Sequence, residues 1–208
     1  MTNTKLETVR RVSALWNRVN ALGSLADFSD ENWCEDISSA DVYFVVVLTW
    51  GGWREPRQQQ VEAEVLRTFT KIAKPINRLN SADVARLTRA YPYAWEKNFL
   101  RSMVGYLRRN RTSLTELVRR MVETGPQLAS AEMQLAMGTS ATKIAACFLR
   151  DCARLDVFPI DRRVREVLAE YGLPSDSWAI GSACESLHIP TRVFARAVYS
   201  RAEALVKD

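Results

Sequence analysis

Apolar residues recur at intervals of three and four along almost the whole chain, and this period constrains the fold more than any other feature. Between residues 5 and 22 the apolar positions are Val9, Val12, Leu15, Trp16, Val19 and Leu22, which share one face of an α-helix. The spacing returns in Val61, Val65, Leu66, Phe69 and Ile72, in Trp95, Phe99, Val104 and Leu107, and in Leu114, Leu117, Val118 and Met121. Breakers fall between these stretches. Pro56 suits a helix start, Pro75 a helix end, and Gly125-Pro126 a stop. Ser81, and Thr112 or Ser113, are the expected caps of two helices. Further helices are expected over 175–187 and 191–206. The run 42–50 is the exception: its β-branched residues favour a strand, while a buried helix capped by Ser39 fits as well. No internal repeat or low-complexity segment interrupts the pattern. The expectation is an all-α chain, with about ten helices.

At 208 residues the chain can build one large domain or two small lobes around a sizeable core. A net charge of +5, carried mostly by arginine, suits a polyanionic partner. Arginines are dense in 101–120 and 150–165, whereas Asp27, Asp30, Glu31, Glu35 and Asp36 make an early acidic stretch. Arg108, Arg109, Arg111, Arg119 and Arg120 read first as a solvated face and second as a track for DNA. The opening MTNTKLETVRRV has no apolar signal core, and the longest apolar run, 42–48, is too short to span a bilayer. The expectation is therefore no membrane and a cytoplasmic location. The four cysteines, Cys34, Cys147, Cys152 and Cys184, lack CxxC spacing, and His188 is the only histidine. No metal site is expected; free thiols in a reducing compartment are the simpler reading.

The stretch that can carry chemistry is 137–168, MGTSATKIAACFLRDCARLDVFPIDRRVREVL. It reads as a short turn, a helix opening with Lys143, a loop, and a second helix opening with Asp161. In the first helix Ile144, Phe148, Cys152 and Leu155 share the inward face, with Ala145 and Leu149 beside it. Lys143, Cys147, Arg150 and Arg154 line another face. Lys143 falls in the first turn, where the helix dipole disfavours a cation and so favours a neutral, nucleophilic amine. Asp161 suits the cap of the second helix, whose buried stripe is Val164, Val167, Leu168 and Tyr171. Arg162, Arg163 and Arg165 crowd that helix's first turn, the wrong end for positive charge, which points to an anionic partner such as phosphate. Taken singly, Lys143 is a surface lysine and Asp161 a cap. Only the pair, at this spacing, suggests catalysis.

This stretch resembles the helix-hairpin-helix (HhH-GPD) DNA glycosylases, and most closely the archaeal-type branch of the 8-oxoguanine DNA glycosylase/AP lyases. In that branch a lysine follows the hairpin turn, an FLR segment comes next, and an aspartate stands eighteen residues after the lysine. Here these are Lys143, Phe148-Leu149-Arg150 and Asp161, the last preceded by Pro159-Ile160. The resemblance covers about thirty residues, with a weaker second match at Leu48-Thr49. It departs at three places. The family's hairpin glycines, four and two residues before the lysine, are Thr139 and Ala141, and Gly138 is the nearby glycine. Trp50-Gly51-Gly52-Trp53 replaces small polar residues. The chain ends in Asp208 rather than the lysine associated with base recognition.

The resemblance implies a two-lobed helix-hairpin-helix glycosylase fold over 1–208 as one unit, with the active site between lobes and the hairpin and catalytic segment at about 129–168. Lys143 would attack C1′ of a damaged nucleotide, displace the base and form a Schiff base that can nick the strand. Asp161 would orient or deprotonate the amine and stabilise positive charge on the sugar. Amides around Thr139, Ser140, Ala141 and Thr142 would hold a DNA phosphate at a helix N-terminus, with Arg54, Arg162 and Arg163 as further DNA contacts. Trp50, Trp53 and Cys147 are the candidate base-pocket residues, ordinary core packing being the alternative for each. No cofactor is required, though a monovalent cation could sit at the hairpin. The implied partner is double-stranded DNA carrying a modified base, flipped out for excision, bound by a monomer that associates with the nucleoid. Two alternatives stand beside an 8-oxoguanine-like substrate. One is another modified base: alkylated, mismatched, or a hypermodified pyrimidine of foreign DNA. The other is a DNA-binding module without catalysis.

Overall fold

The computed structural model describes residues 3–28, 39–50 and 55–206. Among these residues there are twelve α-helices and no strand. In chain order they are α1 (Asn3–Ala21), α2 (Ala40–Val47), α3 (Glu55–Ile72), α4 (Ser81–Ala90), α5 (Ala94–Arg109) and α6 (Leu114–Thr124). Then follow α7 (Pro126–Met137), α8 (Thr142–Asp151), α9 (Arg162–Glu170), α10 (Ser177–Ser186), α11 (Thr191–Ser200) and α12 (Ala202–Val206). None of the described helices is long and apolar enough to cross a membrane. The chain divides into two compact units, residues 34–153 and residues 1–33 with 154–208.

In the unit 34–153, α2 packs against α3, α6 and α8. Phe44, Val45, Val47 and Leu48 are wholly buried there. This settles the strand-or-helix ambiguity of 42–50. A lone strand would leave its amides and carbonyls unpaired in an apolar interior, whereas a helix satisfies its own. Tyr91, also buried, donates its hydroxyl to the Val45 carbonyl at 2.7 Å. The cap of α4 is Asn80, one residue before the expected Ser81. The Asn80 side chain accepts from the Asp83 amide at 2.9 Å, and the Asp83 carboxylate accepts from the Asn80 amide at 3.0 Å. This reciprocal box satisfies two donors at once. Ser113 and Glu116 form the same box on α6. Ser39 occupies the cap position of α2 without a side-chain cap bond. Gly125, at φ +85°, ends α6 and starts α7, with Pro126 as the first helical residue. The expected stop is thus a corner between two helices.

In the other unit α1 packs against α10 and α11, and α9 against α11 and α12. Val12, Leu15 and Val19 meet Phe158, Val164, Val167, Leu168, Ile180 and Phe194 in one core. The single helix expected over 191–206 is two helices, broken at Arg201, whose backbone leaves helical geometry at φ −104°, ψ 10°. The Arg201 guanidinium donates to the carbonyls of Val19, Gly23 and Ser24. These lie at the end of α1, where a helix leaves its last carbonyls unpaired.

Candidate functional site

The helices α7 and α8 and the turn between them make a helical hairpin within the unit 34–153. Gly138 ends α7 at φ +109°, a conformation that strains an L side chain, and nothing lies within 4 Å of where a Cβ would stand. Conformation, not space, favours glycine there. A 3₁₀ turn over Thr139–Ala141 follows, and α8 begins at Thr142. The Ala141 amide donates to the Gly138 carbonyl at 3.0 Å. That amide is therefore engaged inside the turn rather than offered to a phosphate. Ala141 is buried, while Ser140 and Thr142 are exposed. The side chain of Thr139 lies outside the described residues.

Lys143 is the second residue of α8 and is half-buried. Its Nζ donates to the Trp50 carbonyl at 2.9 Å. Trp50 follows the end of α2, and three contacts fix it. Its amide donates to the Val47 carbonyl at 3.0 Å. Its ring meets Tyr43 edge-on, centroids 5.8 Å apart. Its side chain hydrogen-bonds Glu62 on α3; burial raises the Glu62 carboxyl above its ordinary range, and this bond pulls it partly back. Trp50 thus links three helices and holds the Lys143 amine in place.

Beside Lys143 lies a cleft of about 370 Å³ lined by Trp95, Phe99 and the run from Ser140 to Ile144. Trp95 and Phe99 come from the first two turns of α5, with ring centroids 5.4 Å apart. Tyr93 stacks on Trp95 at 6.2 Å and an interplanar angle of 19°. The sequence placed Trp95 and Phe99 only on a packing face. The one available signal was the local density of Tyr93, Trp95 and Phe99 at a helix start. Trp50 and Cys147 are not among the cleft's lining, and Trp53 and Arg54 lie outside the described residues.

Further along α8, Cys147 and Arg150 are buried, so the helix is enclosed on nearly every side rather than presenting a polar face with Lys143. Arg150 Nε and Nη2 donate to the two Asp151 carboxylate oxygens at 2.7 and 2.6 Å. The Tyr43 hydroxyl donates to Asp151 Oδ2 at 2.9 Å. Burial works against the Arg150 charge, but its bonds to Asp151 more than offset this and hold the guanidinium protonated. Burial, helped by the Asp151 charge, pushes the Tyr43 phenol well above its ordinary value. The cluster is locked by its own partners. It fastens α2 to α8.

Asp161, in the unit 1–33 with 154–208, caps α9: its Oδ1 accepts from the Val164 amide at 2.9 Å. Arg162, Arg163 and Arg165 are exposed. Arg162 stands 3.7 Å from Glu166 one turn on, and the Arg163 guanidinium lies over the Tyr199 ring at 5.8 Å. Arg108, Arg109, Arg111, Arg119 and Arg120 are exposed as well, Arg120 standing 3.4 Å from Glu132.

Cys147, Cys152 and Cys184 are buried and are not joined in disulfides, and Cys34 lies outside the described residues. Burial pushes the Cys184 thiol up to about 12, against a lowering hydrogen bond with Thr191, so it stays protonated and inert. Among the described residues no three His, Cys, Asp or Glu side chains gather as metal ligands. No family model, curated protein or solved structure matches the chain.

Proposed function

We propose that the chain is a DNA glycosylase of the two-lobed helix-hairpin-helix type, with Lys143 as its nucleophile and Asp161 as the carboxylate that serves it. The observation that carries this reading is a half-buried lysine in the first turn of the second hairpin helix, one of the residues that line an open cleft together with Trp95 and Phe99. A solvated surface lysine needs neither the backbone carbonyl that holds Lys143 nor the cleft next to it. The spacing to Asp161 and the arginine-rich start of α9 support the same reading from sequence.

In the proposed reaction the Lys143 lone pair forms an N–C1′ bond while the C1′–base bond breaks. The base leaves with that electron pair and takes up a proton. Asp161 accepts the proton that the amine gives up and offsets positive charge on the sugar. Opening of the sugar ring yields a Schiff base, from which loss of a C2′ proton expels the 3′ phosphate and nicks the strand. The substrate is duplex DNA with a modified base, 8-oxoguanine-like by resemblance, and the enzyme acts as a cytoplasmic monomer without a cofactor. The cleft favours a second reading of the substrate. Its volume of about 370 Å³ lies within the range of small-ligand sites, about 300–1,000 Å³. A bulky modified base suits it better than a closely fitted purine.

Borohydride trapping on duplexes carrying a panel of lesions tests the chemistry. The wild type should form a covalent adduct, and Lys143→Gln should abolish it while DNA binding survives. Salt-dependent binding that is indifferent to Lys143→Gln, with no base released from any duplex, would instead identify a binding module.

A further inference from the structure

We infer that Glu62 on α3 positions the Lys143 amine, acting through Trp50, and so sets how fast that amine can attack. The effect on rate rests on the glycosylase reading, whereas the effect on the placement of the amine does not.

Contacts in series make the connection. The Lys143 Nζ donates to the Trp50 carbonyl at 2.9 Å. A carbonyl accepts an N–H from a charged or a neutral amine alike, so this contact directs the amine without occupying its lone pair. Trp50 stands two residues past Leu48, the C-cap of α2, so the direction of its carbonyl depends on how the residue itself is anchored. Its amide is held by the Val47 carbonyl at 3.0 Å, and its indole is held by Glu62. An indole N–H only donates, so the Glu62 carboxylate is the acceptor. The edge-on contact with Tyr43 adds a second restraint on the ring, and the Tyr43 hydroxyl is itself fixed on Asp151 at 2.9 Å.

Glu62 is placed for this bond rather than for its own stability. It is half-buried, whereas Glu64, two residues on, is exposed. Burial works against the Glu62 charge, and the Trp50 bond offsets only part of that. A glutamate turned to solvent on α3 would avoid the cost. A group set against its own preference in this way is expected where it serves a neighbour. Glu62 is not among the cleft's lining, so it is a positioning residue and not a catalytic one. Positioning matters to rate because a displacement of about 1 Å can slow a reaction about a hundredfold. Without Glu62 the indole loses one of its restraints, and with it the carbonyl loses its fixed direction.

The test uses the full-length chain and two readouts. The first is competitive acetylation of the DNA-free protein by limiting acetic anhydride. Peptide mass spectrometry scores the labelling of Lys143 relative to the exposed Lys5 and Lys71. The second is the single-turnover rate of cyanoborohydride trapping on a duplex with a true abasic site, measured beside the dissociation constant for that duplex. Glu62→Ala should raise the relative labelling of Lys143 by about two- to tenfold, the range set by loss of one restraining hydrogen bond. It should slow trapping by about ten- to a hundredfold while the dissociation constant stays within about threefold of wild type. Glu62→Gln keeps an oxygen that accepts from the indole and should restore most of both values. Trp50→Phe keeps a ring but not the N–H, and should behave as Glu62→Ala does. It serves instead should Glu62→Ala lose its helical circular dichroism. Glu64→Ala should match wild type.

Wild-type labelling of Lys143 in Glu62→Ala overturns the inference, and so does wild-type trapping in that variant. Glu62→Gln as impaired as Glu62→Ala overturns it too, as does a loss of trapping that runs parallel to a loss of duplex binding. Labelling that depends on Glu62, in a wild type that traps no abasic duplex, would keep the positioning role and remove the lyase chemistry. The two readings therefore fail separately.

Discussion

Lys143 and Arg150 stand seven residues apart on one helix and serve opposite ends. Lys143 lines a cleft and places its amine on a backbone carbonyl. Arg150 spends its guanidinium on Asp151 inside the core, with Tyr43 bonded to the same carboxylate. In this chain the arginine of the FLR segment is a fastening between α2 and α8, so the case for chemistry rests on Lys143 and Asp161. Removing one partner of a buried pair strands the other charge, which costs about 3–5 kcal/mol. Asp151→Ala is accordingly expected to lower the thermal midpoint by an amount on the order of 10 °C. A fall of less than about 2 °C in a melting scan would show that the pair is not holding the fold. Asp161 has a complete structural use as the cap of α9, and a cap can also be a catalyst. For that reason trapping chemistry, not stability, is the measurement that bears on its role.

At the scale of elements, local chemistry was legible wherever it acted locally. Helical periodicity marked the helices, and the corner at Gly125-Pro126 and the start of α8 fell where breakers and turn residues stood. The misplacement at α4 has a physical origin. Asn80 and Ser81 are both good caps, and the choice between them depends on which residue lies three before an acidic side chain that can reach back. Asp83 stands three after Asn80 and closes the box. Asn80→Ala should therefore cost about 1 kcal/mol in urea denaturation, whereas Ser81→Ala should stay within about 0.5 kcal/mol. The opposite ranking would return the cap to Ser81. The division of 191–206 was not legible, because Arg201 leaves the helix where its guanidinium meets carbonyls some 180 residues earlier.

At the scale of the molecule, one unit is assembled from both ends of the chain, with α1 in the same core as α9, α10 and α11. Leu15 is wholly buried in that core, so Leu15→Ala should cost about 2–5 kcal/mol. Hydrogen exchange should then quicken together in α1 and in the distant Ile180 and Val198, because they share one interior. Faster exchange confined to α1 would show that the two segments do not unfold as one. The sequence by itself determined the helical class, most helix boundaries, and the placing of Lys143 and Asp161 at helix starts, because periodicity, capping and backbone geometry act over a few residues. Tertiary structure alone decided that 42–50 is helical, that Arg150 is consumed by Asp151 and Tyr43, and that the cleft beside Lys143 is walled by α5. Trp50 reaches Lys143 across 93 residues, and Trp95 comes from another helix of the same unit. Such meetings depend on how helices pack, which no local pattern encodes.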